Sequence, residues 1–330
     1  MSAATLDVIA IGNAIVDIIG RCDDAFLLAH DCPKGHMRLV DAPTLSRLYD
    51  DMGPSTEISG GSAANTAVGI ASFGGRAAFI GKTANDEFGR IFAHDIKAAG
   101  VAFAGNPTAA GAPTSRSLIL VTPDGERTMN TMLGISTELG DAEINPALIA
   151  SAKVLYLEGY LFDRPEAKAA FRKAVAIAKA AGREVALSLS DGFCVGRHRA
   201  EFKDLIRDGV DIVFANEDEI KSLYETADFA TAAKQAGKEM KLAVLTRGVK
   251  GSVIIAAGKQ IEVPVEAVHE VADSTGAGDL YAAGFLYAYT QGFDLTKAGR
   301  YASLAAAEII SHVGARPATA LSSLVLAKSL

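Results

Sequence analysis

The chain has 330 residues, of which 49% are apolar and 22% charged, enough to fill a core and too apolar for a disordered chain. A formal net charge of -7 argues against the broad basic surface that nucleic-acid binding needs, while leaving room for a local phosphate pocket. No run approaches the roughly 18 apolar residues of a membrane span. The six His residues form no HxxH or HExxH pair, and Cys22, Cys32 and Cys194 are widely spaced and odd in number, so neither zinc nor a disulfide framework is expected and a reducing compartment, the cytoplasm, fits.

In chain order, Leu6–Ile11 reads as a strand ending in a turn at Gly12 and Asn13, since Asp7 and the missing basic leader fit a signal peptide poorly. The apolar run 14–19 carries one acid, Asp17, which is costly in a buried strand unless it is paired or faces a ligand; a bulge or an edge is the alternative. Residues 21–58 lack a strong period apart from a short helix at 42–51. The stretch GGSAANTAVGIASFGG at 60–75 is a glycine pair entering a helix of small residues, whose start offers free N–H groups. A strand at Ala77–Ile80 leads into GKTANDEFGR at 81–90 and a helix to about 99, and 116–133 reads as a hairpin around Pro123, Asp124 and Gly125. From about 144 strands at 154–157, 185–189, 211–214, 242–245 and 252–255 alternate with helices at 166–181, 199–207, 217–224 and 229–237, and helices follow at 276–290, 296–311 and 318–328. This pattern predicts a doubly wound, mostly parallel sheet flanked by helices in a single domain over 1–330, with small β-rich lid elements inserted at about 14–58 and 112–133.

The most informative stretch is DSTGAGDLYAAGF at 273–285. Thr275, Gly276, Ala277 and Gly278 form a small-residue turn opening a helix, where N–H groups converge on an anion. Asp279 in that first turn is either a capping carboxylate or a general base beside the anion hole; the second reading suits phosphoryl transfer to an alcohol. There is no GxxxxGK[ST] and no GxGxxG, so P-loop and dinucleotide chemistry are set aside. Asn216, Glu217, Asp218 and Glu219 follow a strand, at the end of a parallel sheet where ligands bind; they read as an ordinary acidic helix start or as a holder of hydrated Mg²⁺. Arg247 in Thr246, Arg247, Gly248 pairs with nucleotide phosphates or is a surface arginine.

Over essentially its whole length the chain resembles the ribokinase-like (PfkB) carbohydrate kinases, on GGSAANTAVGIASFGG, GKTANDEFG, NEDE at 216–219 and DSTGAGDLYAAGF. Within that family GNAIVDI at 12–18 and the long stretch DDAFLLAHDCPKGHMRLVD are most similar to adenosine kinases. The resemblance implies a ribokinase-like fold and an ATP- and Mg²⁺-dependent kinase for a small nucleoside or sugar. It implies adenosine as acceptor and a place in purine salvage, with a ribose- or fructose-type sugar kinase, an inosine or guanosine kinase, or a non-enzymatic nucleotide-binding module as alternatives. It implies that Asp17 bonds ribose hydroxyls, that Asn65 with Gly61 and Ser62 holds the same sugar, and that Asn13 lies near its acceptor end or ribose edge. Asp279 would be the base, and Gly276, Ala277 and Gly278 the anion hole. Asn216 and Glu219 would organise Mg²⁺ through water, Arg127 would approach the phosphates as the lid closes, and Thr246, Arg247, Gly248 and Thr275 would border the ATP site. Asp273 and Thr275 would offer oxygens to K⁺. Met37, Leu39, Leu133, Leu161 and Phe162 are candidates for the base slot or ordinary core, and His36 and Arg38 add polarity that an apolar adenine slot does not need. A monomer and a homodimer are both compatible with the pattern.

Overall fold

The computed structural model describes residues 4–328 except 106 and 110. Its strands are β1 (Leu6–Ile11), β2 (Ile15–Arg21), β3 (Met37–Leu39), β4 (Ser55–Gly60), β5 (Ala77–Ile80), β6 (Ala102–Phe103), β7 (Ser115–Val121), β8 (Arg127–Met132), β9 (Ala152–Glu158), β10 (Glu184–Ser188), β11 (Ile212–Asn216), β12 (Leu242–Thr246), β13 (Ser252–Ala256) and β14 (Lys259–Val263). Nine form a large sheet in the order β14-β13-β12-β11-β10-β9-β1-β5-β6, and five form a small one in the order β3-β8-β7-β2-β4. The large sheet is parallel from β6 to β12, and β13 and β14 extend it antiparallel.

The central strands are apolar throughout because both faces are covered. Along β1, Val8 and Ala10 pack with the helices Ser62–Ser72, Ala277–Thr290 and Leu295–Ile310. Ile9 and Ile11 face the other way, toward Pro165–Ala180, Gly192–Gly209, Glu217–Tyr224 and Phe229–Glu239. The chain crosses between the sheets at Gly12 and Asn13, returns at Gly60 and Gly61, crosses again before β7 and returns after β8. Two signature residues tie down these later crossings. Asp86 caps the helix Glu87–Ala98 through Gly89 N (2.8 Å) and also accepts from Thr114 N (2.9 Å) and Thr114 Oγ1 (2.6 Å). Lys82 Nζ donates to Glu138 O at 2.9 Å.

The hairpin expected at 116–133 is β7 and β8, paired antiparallel from Arg116↔Met132 to Val121↔Arg127. The aperiodic stretch 21–58 holds more structure than its pattern shows: a helix at Asp24–Ala29 and strands β3 and β4. Strand β3 has three residues and β4 reads STEISG on a sheet edge, so neither is long or one-sided enough to show a period. The helix expected at 199–207 begins earlier, at Gly192, where Asp191 accepts from Cys194 N (2.7 Å), and it is kinked at His198. Strand β14, KQIEV, was not foreseen; it is a mostly exposed edge.

Gly284 marks the closest approach of the helix Ala277–Thr290 to Leu295–Ile310, for a Cβ there would lie 2.7 Å from Tyr301 C and 2.8 Å from Ala302 Cα. Because backbone cannot yield as a side-chain tip does, Gly284→Ala is expected to cost about 1–3 kcal/mol, read as a lower urea midpoint.

Candidate active site

The crossing at Gly60 and Gly61 sets the first wall. Gly61 has φ 99°, and a Cβ there would collide with Asn13 O; a Cβ on Gly60 would collide with the Asp17 carboxylate. Two side chains are thus omitted so that Asp17 on β2 can lie against the turn. Asp17 has no hydrogen-bond partner among the described residues and lines the cavity below. Burial pushes its carboxyl up to about 6, opposed by Arg316 and Arg127 and reinforced by Asp279. Behind the turn lies Glu158, the last residue of β9, 1% exposed. It accepts from Asn13 N (3.2 Å), Asn13 Nδ2 (2.7 Å) and Ala63 N (2.8 Å), and burial raises it to about 7.

The second wall is the start of the helix Ala277–Thr290. Gly276, its N-cap, adopts φ 79°, and Asp279 stands in the first turn. The carboxylate does not cap its own helix. Its Oδ1 accepts from Ser62 Oγ (2.6 Å) and its Oδ2 from Asn65 Nδ2 (2.9 Å), both from the start of the helix Ser62–Ser72. Burial pushes Asp279 up, and these two bonds and Arg316 oppose it. Asn65 Oδ1 is buried without a partner.

The third wall is formed by strand ends of the large sheet. Asn216 caps Glu217–Tyr224, its Oδ1 accepting from Asp218 N (2.9 Å) and Glu219 N (2.8 Å). Glu219 returns the contact, accepting from Asn216 N (3.0 Å) and Nδ2 (2.7 Å). The helix-start reading of NEDE is therefore realised, and the same two residues also line the cavity. Glu219 is pushed up to about 7 by burial.

One cavity of about 810 Å³ joins these walls, within the usual range of small-molecule sites, roughly 300–1,000 Å³. Asn13, Asp17, Met37, Leu39, Gly61, Ser62, Asn65 and Leu133 line it, as do Asn216, Glu219, Thr246 and Thr275 to Asp279. Leu161 and Phe162 do not. The turn Gly159–Asp163 directs them inward, 1% and 2% exposed, with Phe162 stacked on Phe202 at 4.0 Å, so of the two readings they are core. Their neighbour Tyr160, 46% exposed, lines the cavity instead, with Phe193, 81% exposed. Arg247 and Gly248 also lie off the lining; Arg247 Nε donates to Glu217 (3.1 Å) and its guanidinium sits 4.0 Å over the Phe229 ring, which is the surface reading. Arg127 is not at the cavity but in a buried ion pair with Asp273, its Nε and Nη2 unpartnered. Asp273 also accepts from Thr275 N (3.0 Å) and Gly314 N (3.2 Å), so the carboxylate expected to meet a potassium ion is engaged by protein donors.

Sequence reading missed Glu158, Tyr160, Phe193 and Arg316. An acid closing the apolar strand AKVLYLE was a usable signal for Glu158, by the logic that singled out Asp17. Nothing local marks the other three.

A large, mostly parallel sheet flanked by helices, with a second small sheet, is a ribokinase-like fold. The chain belongs to the pfkB family of carbohydrate kinases, whose model matches residues 53–321. These are ATP-dependent phosphotransferases that use Mg²⁺ and act on hydroxyls of sugars or nucleosides. The chain superposes with a TM-score of 0.91 on a probable sugar kinase from Rhizobium etli CFN 42, at 48% identity over 99% of both chains. It superposes equally, with a TM-score of 0.91, on the adenosine kinase of Sinorhizobium meliloti, at 50% identity over 98% of this chain and 100% of that one. Fructokinase-1 of Oryza sativa subsp. japonica is 32% identical, over 76% of this chain and 80% of its own.

The contact of Gly60 with Asp17 yields a direct test. Gly60→Ala is expected to displace the Asp17 carboxylate and raise the acceptor KM at least about tenfold, with far-UV circular dichroism unchanged. An unaltered KM would show that Asp17 is not held by this turn.

Proposed function

We propose that the protein is an adenosine kinase, transferring the γ-phosphoryl group of ATP to the 5′-hydroxyl of adenosine to give AMP and ADP. The observation that carries this reading is the wall around Asp17. On the cavity side the small sheet presents Met37, Leu39, Ile119, Met129 and Leu133, with Met37 and Leu39 55% and 62% exposed, and Tyr160 and Phe193 stand on the same cavity. A free sugar satisfies a carboxylate but leaves these apolar and aromatic surfaces in water; a purine base covers them, and base–aromatic stacking is worth about 1–3 kcal/mol per base. The 50% identity to the Sinorhizobium meliloti adenosine kinase supports the same acceptor.

In this reading Asp17 accepts from two ribose hydroxyls, with Asn13 at the ribose edge. Asp279, oriented by Ser62 and Asn65, takes the proton of the 5′-hydroxyl. The oxygen then bonds to the γ-phosphorus, the bond to the β–γ bridging oxygen breaks, and ADP leaves with that electron pair. Free N–H groups at Gly278 and Asp279 face the transferring group from the helix start. The donor set suits Mg²⁺ brought by the nucleotide: no cluster of three acidic, His or Cys ligands occurs among the described residues, while Glu219 and Asn216 line the cavity as water-mediated partners. Held there through water by Asn216 and Glu219, Mg²⁺ would neutralise phosphate charge. Thr246 and Thr275 border the nucleotide. Arg127, with two unpartnered nitrogens, reaches the phosphates only by leaving Asp273. The small sheet, which faces the cavity from the side opposite Asp279, acts as the lid that keeps water from the phosphoryl group.

ADP release from MgATP with adenosine, inosine, guanosine, ribose and fructose tests the acceptor. A kcat/KM for adenosine at least about 100-fold above either sugar is expected; a preference for fructose or ribose, as the names of the fructokinase relatives would have it, overturns the nucleoside reading. Asp279→Asn is expected to lower kcat by about 10²–10⁴ with acceptor binding retained. Because Asp17 accepts from both ribose hydroxyls at full strength only when ionised, kcat/KM is expected to fall as pH drops through about 6. A flat profile between pH 5 and 8 would remove Asp17 from acceptor binding.

A further inference from the structure

Arg316 belongs to the segment between the helices Leu295–Ile310 and Leu321–Ala327 and does not line the cavity. Its guanidinium nevertheless spans the crossing on which the site is built. Nε donates to Ser59 O at 2.8 Å, Nη2 to the same carbonyl and to Ser59 Oγ at 2.9 Å, and Nη1 to Ala64 O at 3.0 Å. Ser59 is the penultimate residue of β4 and Ala64 lies in the first turn of the helix Ser62–Ser72, so one planar fork grips both sides of Gly60 and Gly61. The residues within and beside that grip place the two carboxylates: Gly60 lies against Asp17, and Ser62 and Asn65 hold Asp279.

Charge tells the same story. The acids facing Arg316 are Asp95, Asp17 and Asp279, from three different elements. Asp95 is held by Ser59 N (2.7 Å) and Ser59 Oγ (2.6 Å). Asp17 faces Arg127 and Asp279 besides Arg316, and Asp279 faces Glu158, Glu219, Tyr156 and Tyr160. Against Asp279, Arg316 is the one named cation.

We propose that Arg316 is a positioning residue of the transfer reaction, clamping the Gly60 and Gly61 turn and setting near Asp17 and Asp279 a positive charge that favours their ionised forms. The inference rests on the roles given above to those two carboxylates. It assigns Arg316 a role in chemistry that it does not touch. A lysine keeps the charge but not the fork.

The test is the pH profile of kcat/KM for adenosine with MgATP, with the melting temperature, in wild type and in Arg316→Met, Arg316→Lys, Asp95→Asn and Asp17→Asn. In Arg316→Met the acidic limb is expected to move up by about half to one pH unit, because a cation near a carboxylate favours its ionised form. Arg316→Lys is expected to return the limb toward its wild-type position while KM stays raised. Asp95→Asn keeps an acceptor for Ser59 but removes an anion, so its limb is expected to move down. A limb that stays in place in Arg316→Met while the melting temperature falls would make the residue merely structural and overturn the proposal. Should Arg316→Met not fold, a limb in Asp95→Asn that stays in place or moves up overturns it equally. If the limb is the same in Asp17→Asn as in wild type, the Asp17 assignment fails first; if it vanishes there but ignores both Arg316 and Asp95, only the present inference fails.

Discussion

The site depends on how closely two helices approach. Ser62–Ser72 and Ala277–Thr290 are far apart in the chain, yet a Cβ on Gly69 would lie 2.6 Å from Ala283 Cβ and 2.7 Å from Leu280 Cδ1. The run SAANTAVGIAS carries little bulk, and that lack of bulk lets the two helix starts stand side by side. Only at that separation do Ser62 and Asn65 reach the Asp279 carboxylate, at 2.6 and 2.9 Å. A carboxylate in the first turn of a helix would ordinarily satisfy N–H groups of its own helix. Here it is turned toward the other helix, which leaves its own amino end free for an anion.

Electrostatics explains why the surroundings are polar in so apolar a core. Asp17, Glu158, Glu219 and Asp279 border one cavity, and burial raises all four. Their environments separate them. Burial raises both, but Glu158 is opposed by the N–H donors of Asn13 and Ala63, whereas Asp17, with no hydrogen bond, is opposed by Arg316 and Arg127. Cations at a distance thus do for Asp17 what direct donors do for Glu158, and the carboxylate oxygens of Asp17 remain available to the cavity.

Much of the fold was legible beforehand, and what was not has physical causes. The parallel core was readable because its central strands are buried on both faces and alternate with helices along the chain. The turns at 60–61 and 275–278 were readable from their glycines: Gly60 and Gly61 leave no room for a Cβ, and Gly61 and Gly276 have positive φ. Leu161 and Phe162 stood open between base slot and core because an apolar side chain beside a site looks the same whether it points in or out; a single turn at Gly159–Asp163 puts Tyr160 on the cavity instead. Arg316 was invisible for a different reason. Its partners are mainly main-chain carbonyls some 250 residues earlier (|i−j| of 257 and 252), and carbonyls carry no sequence signal.

In the proposed reading, with Asp279 as the base, the two-sheet architecture divides the work between chemistry and recognition. The base, the helix start and the Asn216 and Glu219 pair all belong to the large sheet and its helices. The surfaces around Asp17 belong mainly to β2, β3, β7 and β8 and to the turn bearing Tyr160. Substituting Met37, Leu39, Ile119 or Met129 changes what the cavity covers without moving Asp279, whose partners are on the other side of the crossing. Relatives named for fructose and for adenosine can share one fold if the acceptor is chosen mainly by side chains of the small sheet, while the direct partners of Asp279 lie on the helix Ser62–Ser72. For the same reason the acceptor of this chain is read from the apolar and aromatic side chains of that wall, and its chemistry from Asp279 and the two helix starts.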